Sequence, residues 1–495
     1  MKPSILFIMH MPPPVHGAAM MGKYIHDSQL INDSFDCHYI NLATAKDLAD
    51  IGKVRLQKFA QFYSLLRTIR KEVKRIRPQL VYITPNAKGG AFYKDFIVIQ
   101  MLKRMGCKIV VHYHNKGVAL RQNKMIDNQL YRIFFKNLKV ILLAEALYED
   151  VKKYVARKDV LICPNGIPEA LSEEPTAKRN NSIPHLLFLS NLLVDKGVFT
   201  LLDACKILKE KGYSFVCNFV GGETAEINSA RFEQEVKARG LNQIIRYEGK
   251  KYGKEKSESF QNADIFVFPT HYETFGLVNL EAMEHKLPIV STDEGGIKDI
   301  VKDGENGLIS QKNNAESLSQ CIENLLGNEK LRIQMGEDGY KKFQNKFTLK
   351  AFENTFTQIV NNCYRGGVKY NIAFYHGKKF SKEKEEILRN TDIFILPTYN
   401  ECFPLVLLEA MQQKLPCIST NEGGISDIIL PGETGYIIKK KSPQELADKI
   451  EFLLNNPNKR IDMGKKGFER YKQLFTLKAF EQHFVSILNI AISRQ

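Results

Sequence analysis

The run Asp264-Ile-Phe-Val-Phe-Pro-Thr270, followed by Glu273-Thr-Phe-Gly-Leu-Val-Asn-Leu-Glu281, decides the fold. The apolar residues between Asp264 and Pro269 read as a buried strand, and a helix is expected to begin near Phe275. A strand that turns directly into a helix is the building unit of a parallel sheet. Glu273 then falls in the loop at the carboxyl end of a strand, where open α/β sheets bind ligands. The free amides of the helix start, around Thr274 to Leu277, point into the same space and suit a phosphate. Gly276 lets a ligand approach the backbone closely. Glu281 lies about one and a half turns into the helix, placed to accept hydrogen bonds from sugar or ribose hydroxyls.

Outward from this run the pattern continues in both directions. Residues 185–190, 214–220, 244–247 and 287–291 read as further strands, separated by helical segments such as 199–211. Before Pro184 a similar alternation places strands at 4–9, 80–84 and 108–112. A Pro12-Pro13-Pro14 turn follows the first of them. After Gly52, apolar residues recur at Phe59, Phe62, Tyr63, Leu66, Ile69, Val73 and Ile76, one face of a helix. The expected architecture is α/β, with two Rossmann-like domains facing a cleft. Residues 1–182 and 183–366 form these domains, and the polar stretch 171–183, with Pro175, joins them.

The deciding run then returns. Asp392-Ile-Phe-Ile-Leu-Pro-Thr repeats it, Leu408-Glu-Ala-Met repeats Leu280-Glu-Ala-Met, and Glu422-Gly-Gly-Ile repeats Glu294-Gly-Gly-Ile. Phe475-Thr-Leu-Lys-Ala-Phe repeats the stretch that starts at Phe347, and every pair is 128 positions apart. A period this long marks a partial domain copy, not a solenoid. Residues 367–495 are therefore read as a partial duplicate of the second domain. In a sheet ordered 3-2-1-4-5-6 the copy starts at strand 3 and omits strands 1 and 2. Its strand near Asp392 is expected to have an unpaired edge, which invites pairing. Glu401 and Glu409 keep the spacing of Glu273 and Glu281, without counterparts of Lys196 or Gly221-Gly222. Both copies could compete for strand 1, because loop closure favours the nearer one by only about 0.9 kcal/mol. The nearer copy is expected to be the active one.

Composition is that of an ordinary globular chain, 44% hydrophobic and 25% charged over 495 residues. No apolar run reaches the length of a membrane span, and the N-terminus reads as a poor signal peptide. The nine cysteines show neither paired nor zinc-type spacing and read as thiols of a reducing cytoplasm. Residues 1–180 hold 29 Lys and Arg against 15 Asp and Glu, a net +14 of the total +16. That asymmetry suggests an anionic membrane surface or a pyrophosphate-bearing substrate. No nucleic-acid module appears among the basic residues, so nucleic acid is excluded as a partner. Lys53, Arg55, Lys58, Arg67, Arg70, Lys71, Lys74, Arg75 and Arg77 crowd the helix after Gly52. Residues 53–77 could thus lie on an anionic membrane.

The run 264–270 with Glu273 to Glu281, Ala282-Met283, Leu287-Pro288-Ile289-Val290 and Gly295-Gly296 resembles the donor-site signature of family 4 of the retaining glycosyltransferases, which have the GT-B fold. The resemblance covers residues 1–366 as a whole and 370–495 as a second partial copy. It implies that Glu273 contacts the transferred sugar, Glu281 the ribose, and Lys196 the diphosphate. Gly17 would face the donor phosphates, as would Thr274, Phe275, Gly276 and Leu277, and Gly222 would belong to the donor site. His114 matches the active-site histidine, with His112 as the competing candidate. Asn191 stands where the family usually has Arg, which weakens a bidentate contact. The implied reaction is metal-independent retaining transfer from a nucleotide sugar to an acceptor hydroxyl, with no cofactor and no metal ligands. A lipid-linked or saccharide acceptor in bacterial surface polysaccharide or lipopolysaccharide assembly follows, with the enzyme cytoplasmic or peripheral at the inner face of the membrane. The competing readings are an impaired nucleotide-sugar-binding protein whose half-domain recruits partners, and a nucleotide-sugar epimerase.

Overall fold

The computed structural model describes residues 2–13, 17–42, 56–169, 181–365 and 381–493. Pro14 of the proline turn, the segment Gly52 to Arg55, most of the expected linker and the start of the expected duplicate lie outside them. So do the side chains of Lys58 and Phe59. The chain divides into two compact units, Met1–Ile372 and Ala373–Gln495.

Unit 1 holds two parallel six-stranded sheets. The first contains β1 (Ser4–Met9), β2 (Asp36–Asn41), β3 (Leu80–Ile83), β4 (Ile109–Tyr113), β5 (Lys139–Leu142) and β6 (Val160–Ile162), in the order β2-β1-β3-β4-β5-β6. The second contains β7 (His185–Leu189), β8 (Val216–Val220), β9 (Ile245–Tyr247), β10 (Ile265–Phe268), β11 (Ile289–Thr292) and β12 (Gly307–Ser310). Its order, β12-β11-β10-β7-β8-β9, is the doubly wound pattern that reverses direction beside β7. Near-continuous apolar strands suit this arrangement, because helices cover both faces. All four residues of β3 and of β10 are buried.

One helix crosses between the two domains. Leu349–Arg365 follows the second domain in sequence, yet Phe352, Phe356 and Val360 are buried with Ile5, Phe7, Tyr82 and Val110 of the first sheet. The Phe356 ring meets that of Tyr82 edge-on, centroids 5.1 Å apart. Gly166 makes the crossing possible, because a Cβ there would lie 2.3 Å from the Thr348 carbonyl oxygen.

The helix expected after Gly52 forms as Leu56–Ile76. Ile69 and Val73 are buried, and Phe62 and Leu66 pack against the core. Tyr63, expected on the same face, is instead 62% exposed and carries the Arg67 guanidinium 5.7 Å above its ring. Arg67, Arg70, Lys71, Lys74, Arg75 and Arg77 are all exposed. No helix among the described residues is long and apolar enough to cross a membrane.

Unit 2 has a three-stranded parallel sheet, β13 (Phe394–Leu396), β14 (Cys417–Thr420) and β15 (Gly435–Ile438), in that order. The helices Leu405–Gln412, Pro443–Asn455, Pro457–Leu474 and Leu477–Ser493 accompany it. Among the described residues β13 pairs with β14 alone, whereas β10 lies between β7 and β11. That missing neighbour leaves Ile395 of β13 36% exposed. Strand β7 is taken by β10, with Ile265 opposite Leu186.

Candidate active site in the cleft of unit 1

The chain leaves β10 at Phe268 and enters the helix Leu277–Glu284 through a loop held from two sides. Gly276 turns into the helix at φ +81°, a conformation that favours glycine. Gly295, at φ +55°, lies so close that a Cβ would stand 2.3 Å from the Glu273 carbonyl oxygen. The Gly296 amide donates to the Thr274 carbonyl at 2.8 Å. The Glu294-Gly-Gly run therefore fixes the backbone of the Glu273 loop, which aims the side chain.

The Glu273 carboxylate is held by two hydrogen bonds. Its Oε1 accepts from the Thr274 amide at 2.8 Å, and its Oε2 accepts from Lys196 Nζ at 2.8 Å. Lys196 also donates to the Tyr272 carbonyl at 3.2 Å. Lys196 is delivered by the turn after β7, where Gly197, at φ +80°, fits against the Pro269 carbonyl. The two residues expected on sugar and diphosphate are thus paired with each other. Glu281, expected on the ribose, is paired with Lys256 at 2.7 Å.

Gly17, His114, Glu273, Thr274, Phe275, Gly276 and Leu277 come together around one cavity of about 270 Å³. Gly17 and His114 reach it from the first domain, the others from the second. A Cβ on Gly17 would lie 3.5 Å from Leu277 Cδ1. Lys196, Asn191, Gly222 and Glu281 do not line this cavity. Asn191 and Gly222 line a neighbouring one of about 750 Å³ with Tyr247 and Lys250. There Asn191 Oδ1 accepts from the Gly222 amide at 3.2 Å, so this side chain holds the glycine turn.

Geometry separates the two histidines. His112 is fully buried in β4, its Nδ1 2.8 Å from the Tyr82 hydroxyl. Burial, and His114 beside it, hold its pKa well below the usual histidine value, which keeps it neutral. His114, just past the strand, lines the cavity, with the two rings 4.2 Å apart.

A second group of residues, not expected from the sequence, closes the first domain onto this loop. Glu294 is 5% exposed and forms close ion pairs with Lys116 from the first domain and Lys312 from the second. The Tyr272 hydroxyl donates to the Lys116 carbonyl at 2.9 Å and accepts from Lys88 Nζ at 2.9 Å. Lys88 and Lys116 stand 4.5 Å and 4.9 Å from the centre of the Tyr272 ring. Burial lowers the Lys116 pKa, and Lys312 lowers it further. The signal was present in His-Tyr-His-Asn-Lys116 and Glu294-Gly-Gly, but nothing in either motif says that they meet.

In unit 2, Glu401 accepts from the Cys402 amide at 3.2 Å and Glu409 pairs with Lys384 at 2.6 Å. Glu422 pairs with Lys440. The loop differs at its helix start, where Pro404, at φ −77°, stands in place of Gly276 and has no amide hydrogen to offer. Among the described residues no ion pair forms at Glu401, which has no lysine in the place of Lys196. No group of residues that could hold a metal ion is found among the described residues.

The family model described as "Glycosyl transferases group 1" matches residues 173–342 and again 353–470. The chain is 30% identical over 176 residues to the capsular polysaccharide biosynthesis glycosyltransferase CapM of Staphylococcus aureus, covering 34% of this chain and 45% of that one. It is 34% identical over 163 residues to an uncharacterized glycosyltransferase, MJ1178, of Methanocaldococcus jannaschii, covering 33% and 43%. The chain thus spans less than half the length of these curated relatives. Among solved structures, Anabaena Alr3699/HepE in complex with UDP superposes with a TM-score of 0.58 at 14% identity, over 72% of this chain and 100% of that one. Sucrose-phosphate synthase from Thermosynechococcus elongatus superposes with a TM-score of 0.57 at 17% identity, over 74% and 100%. Both likenesses bear on the fold, two Rossmann-like domains of the GT-B type.

Proposed function

The chain belongs to the glycosyl transferases group 1 family, and from that premise we propose that it is a retaining glycosyltransferase. It takes a nucleotide-activated sugar and passes the sugar to an acceptor hydroxyl with the anomeric configuration kept. The observation that carries this reading is the convergence of Gly17 and His114 with the Glu273–Leu277 loop on one cavity.

The chemistry follows from where charge develops. As the bond between the anomeric carbon and the phosphate oxygen breaks, the diphosphate gains negative charge. The amides at the start of the helix Leu277–Glu284 stabilise it, and so does Lys196 once released from Glu273. In the reaction the acceptor oxygen bonds to the anomeric carbon on the face the diphosphate leaves. The hydroxyl proton passes to the departing phosphate oxygen. Glu273 holds the sugar and the backbone at Gly295 holds Glu273. Lys196 leaves its pairing with Glu273 to meet the diphosphate, and Glu281 leaves Lys256 to meet the ribose. The cavity at Asn191 and Gly222 takes the remainder of the nucleotide. Lys196 and the amides supply the positive field, so transfer runs without a divalent metal.

Residues 1–182 serve as the acceptor-side domain, 183–366 as the donor domain, and 367–495 as a partial duplicate whose Glu401 and Glu409 form no complete donor site. CapM, and the lipopolysaccharide core glycosyltransferase LpsE of Rhizobium meliloti with 31% identity over 97 residues, support surface polysaccharide assembly as the setting. A lipid-linked acceptor at the inner membrane face suits the exposed Arg67, Arg70, Lys71, Lys74, Arg75 and Arg77. UDP in the HepE complex makes UDP-sugars the first donors to try. The test is a screen of UDP- and GDP-sugars with lipid-linked acceptors, with the anomeric configuration of the product read by NMR. An inverted product, or donor conversion without acceptor as in an epimerase, would overturn the reading.

The pairing of Lys196 with Glu273 also favours a second reading, a donor-binding protein that never turns its ligand over. Tight donor binding with no product for any acceptor would support it.

A further inference from the structure

We propose that the helix Leu477–Ser493 is a self-association surface, through which two copies of this chain pair by their apolar faces. Leu477, Phe480, Phe484 and Ile487 recur at intervals of three and four, and Leu488 flanks them, which makes one continuous stripe. Alternating three- and four-residue spacing is the seam along which helices pair.

The same stripe occurs 128 positions earlier, and there its fate is visible. Phe352 is 1% exposed, Phe356 and Val360 0%, and Ile359 9%, all against the first sheet of unit 1. Their counterparts Phe480, Phe484, Ile487 and Leu488 are 61%, 50%, 62% and 44% exposed. Among the described residues of unit 2 the only sheet is β13-β14-β15, and neither of its core clusters includes these side chains. A face built for burial is left open.

Area and charge select the occupant. With Val485 and Ile492, also more than half exposed, the stripe shows on the order of 700 Å² of apolar surface. That is near the roughly 800 Å² per partner of a standard interface and exceeds the largest patch on a typical monomer. The charged side chains described on this helix, Lys478 and Glu481, cancel, so an anionic lipid surface gains no electrostatic pull from it. The first sheet of a second copy is not open, because that copy's own Leu349–Arg365 covers it. The matching face that a second copy leaves uncovered is this same helix. Two such helices related by a two-fold axis form an isologous pair, with Phe484 near the axis.

The test is sedimentation equilibrium of the full chain across the micromolar range, with and without neutral and anionic vesicles. The parent is expected to dimerise. Phe484→Lys with Leu488→Lys is expected to be monomeric, with an unchanged thermal melt because both positions are half exposed. Phe484→Ala, which adds no charge, is expected to weaken dimerisation at least tenfold, as truncation of a central aromatic does. Ser486→Lys, on the polar side, should leave the dimer intact. A monomeric parent, a double-lysine variant that still dimerises, or a Phe484→Ala variant within twofold of the parent would each overturn the proposal. So would a parent that stays monomeric and pellets with vesicles only while Phe484 and Leu488 are present, because lipid would then be the occupant.

Discussion

Lys196 Nζ lies 2.8 Å from Glu273 Oε2, each side chain about one-fifth exposed. In the proposed function these are the cation for the diphosphate and the carboxylate for the sugar, and here they neutralise each other. The pair, together with the Tyr272 carbonyl 3.2 Å from Lys196 Nζ, holds the lysine against the Glu273 loop. On the proposed function, donor binding would exchange one anionic partner of Lys196 for another.

Lys196→Ala should therefore cut turnover about 10²–10³-fold, the loss typical of removing one preorganised group from a developing anion. It also leaves Glu273 without its counter-ion, so donor affinity should fall as well. EDTA should change the parent's rate little. Strict dependence on an added divalent metal in steady-state assays would contradict the metal-free field assigned to Lys196 and the helix amides.

Gly295→Ala should damage the site without touching a ligand. The new Cβ meets the Glu273 carbonyl oxygen at 2.3 Å, and φ is +55°. The Glu273 loop must shift, at a cost of about 1–3 kcal/mol in stability and a larger loss of activity. Gly90→Ala, with nothing within 4 Å of the added carbon, is the control. Thermal melts and turnover compared for the two variants check this; equal effects would sink it.

Asp95 gives a pH dependence with a definite sign. Burial raises its pKa to about 6 from 3.8, although the Asn86 amide and side chain both donate to it. A carboxyl with a raised folded-state pKa contributes stability that is full below the unfolded value and lost as pH rises through about 6. The difference is on the order of 3 kcal/mol. Urea unfolding of the parent and of Asp95→Asn should diverge between pH 4 and pH 7, with the variant lacking this decline. Parallel curves would remove Asp95 as the cause.

The helix Leu56–Ile76 turns Ile69 and Val73 into the core, so its apolar side is not free to enter a membrane. Among the described residues of 53–77 the attraction comes from charge, on Arg67, Arg70, Lys71, Lys74, Arg75 and Arg77. Vesicle binding should then be wholly salt-dependent, fading as the screening length falls below about 8–10 Å. Replacing Arg70, Lys71, Lys74 and Arg75 with Gln should abolish pelleting with anionic vesicles and leave transfer to a soluble acceptor intact. Binding that survives high salt would require another surface.

How much of this could be read from residues alone depends on whether the signal is local. The strand Ile265–Phe268, its turn and the helix behind it declare themselves, because apolar period and the glycine at 276 are properties of neighbours in sequence. The Lys–Glu pairings are not. Lys116 and Glu294 are far apart in the chain, and only the closure of one domain on the other brings them together. Spacing puts Tyr63 on the apolar face, yet its ring stays outside the core beside the Arg67 guanidinium. His112 and His114 share the same face of one strand in sequence. Tyr82, on the neighbouring strand, claims the first and leaves the second to the cavity. The crossing of Leu349–Arg365 onto the first sheet was also hidden, because its apolar stripe states that it is buried but not against what.

In the proposed function the Glu273 loop is the working site and its counterpart around Glu401 is incomplete. The direct measurement is transfer by Glu273→Gln and Glu401→Gln, each made alone in the full chain, with the same donor and acceptor. Glu273→Gln should lose nearly all turnover and Glu401→Gln should match the parent. Loss of transfer in Glu401→Gln with activity kept in Glu273→Gln would contradict it.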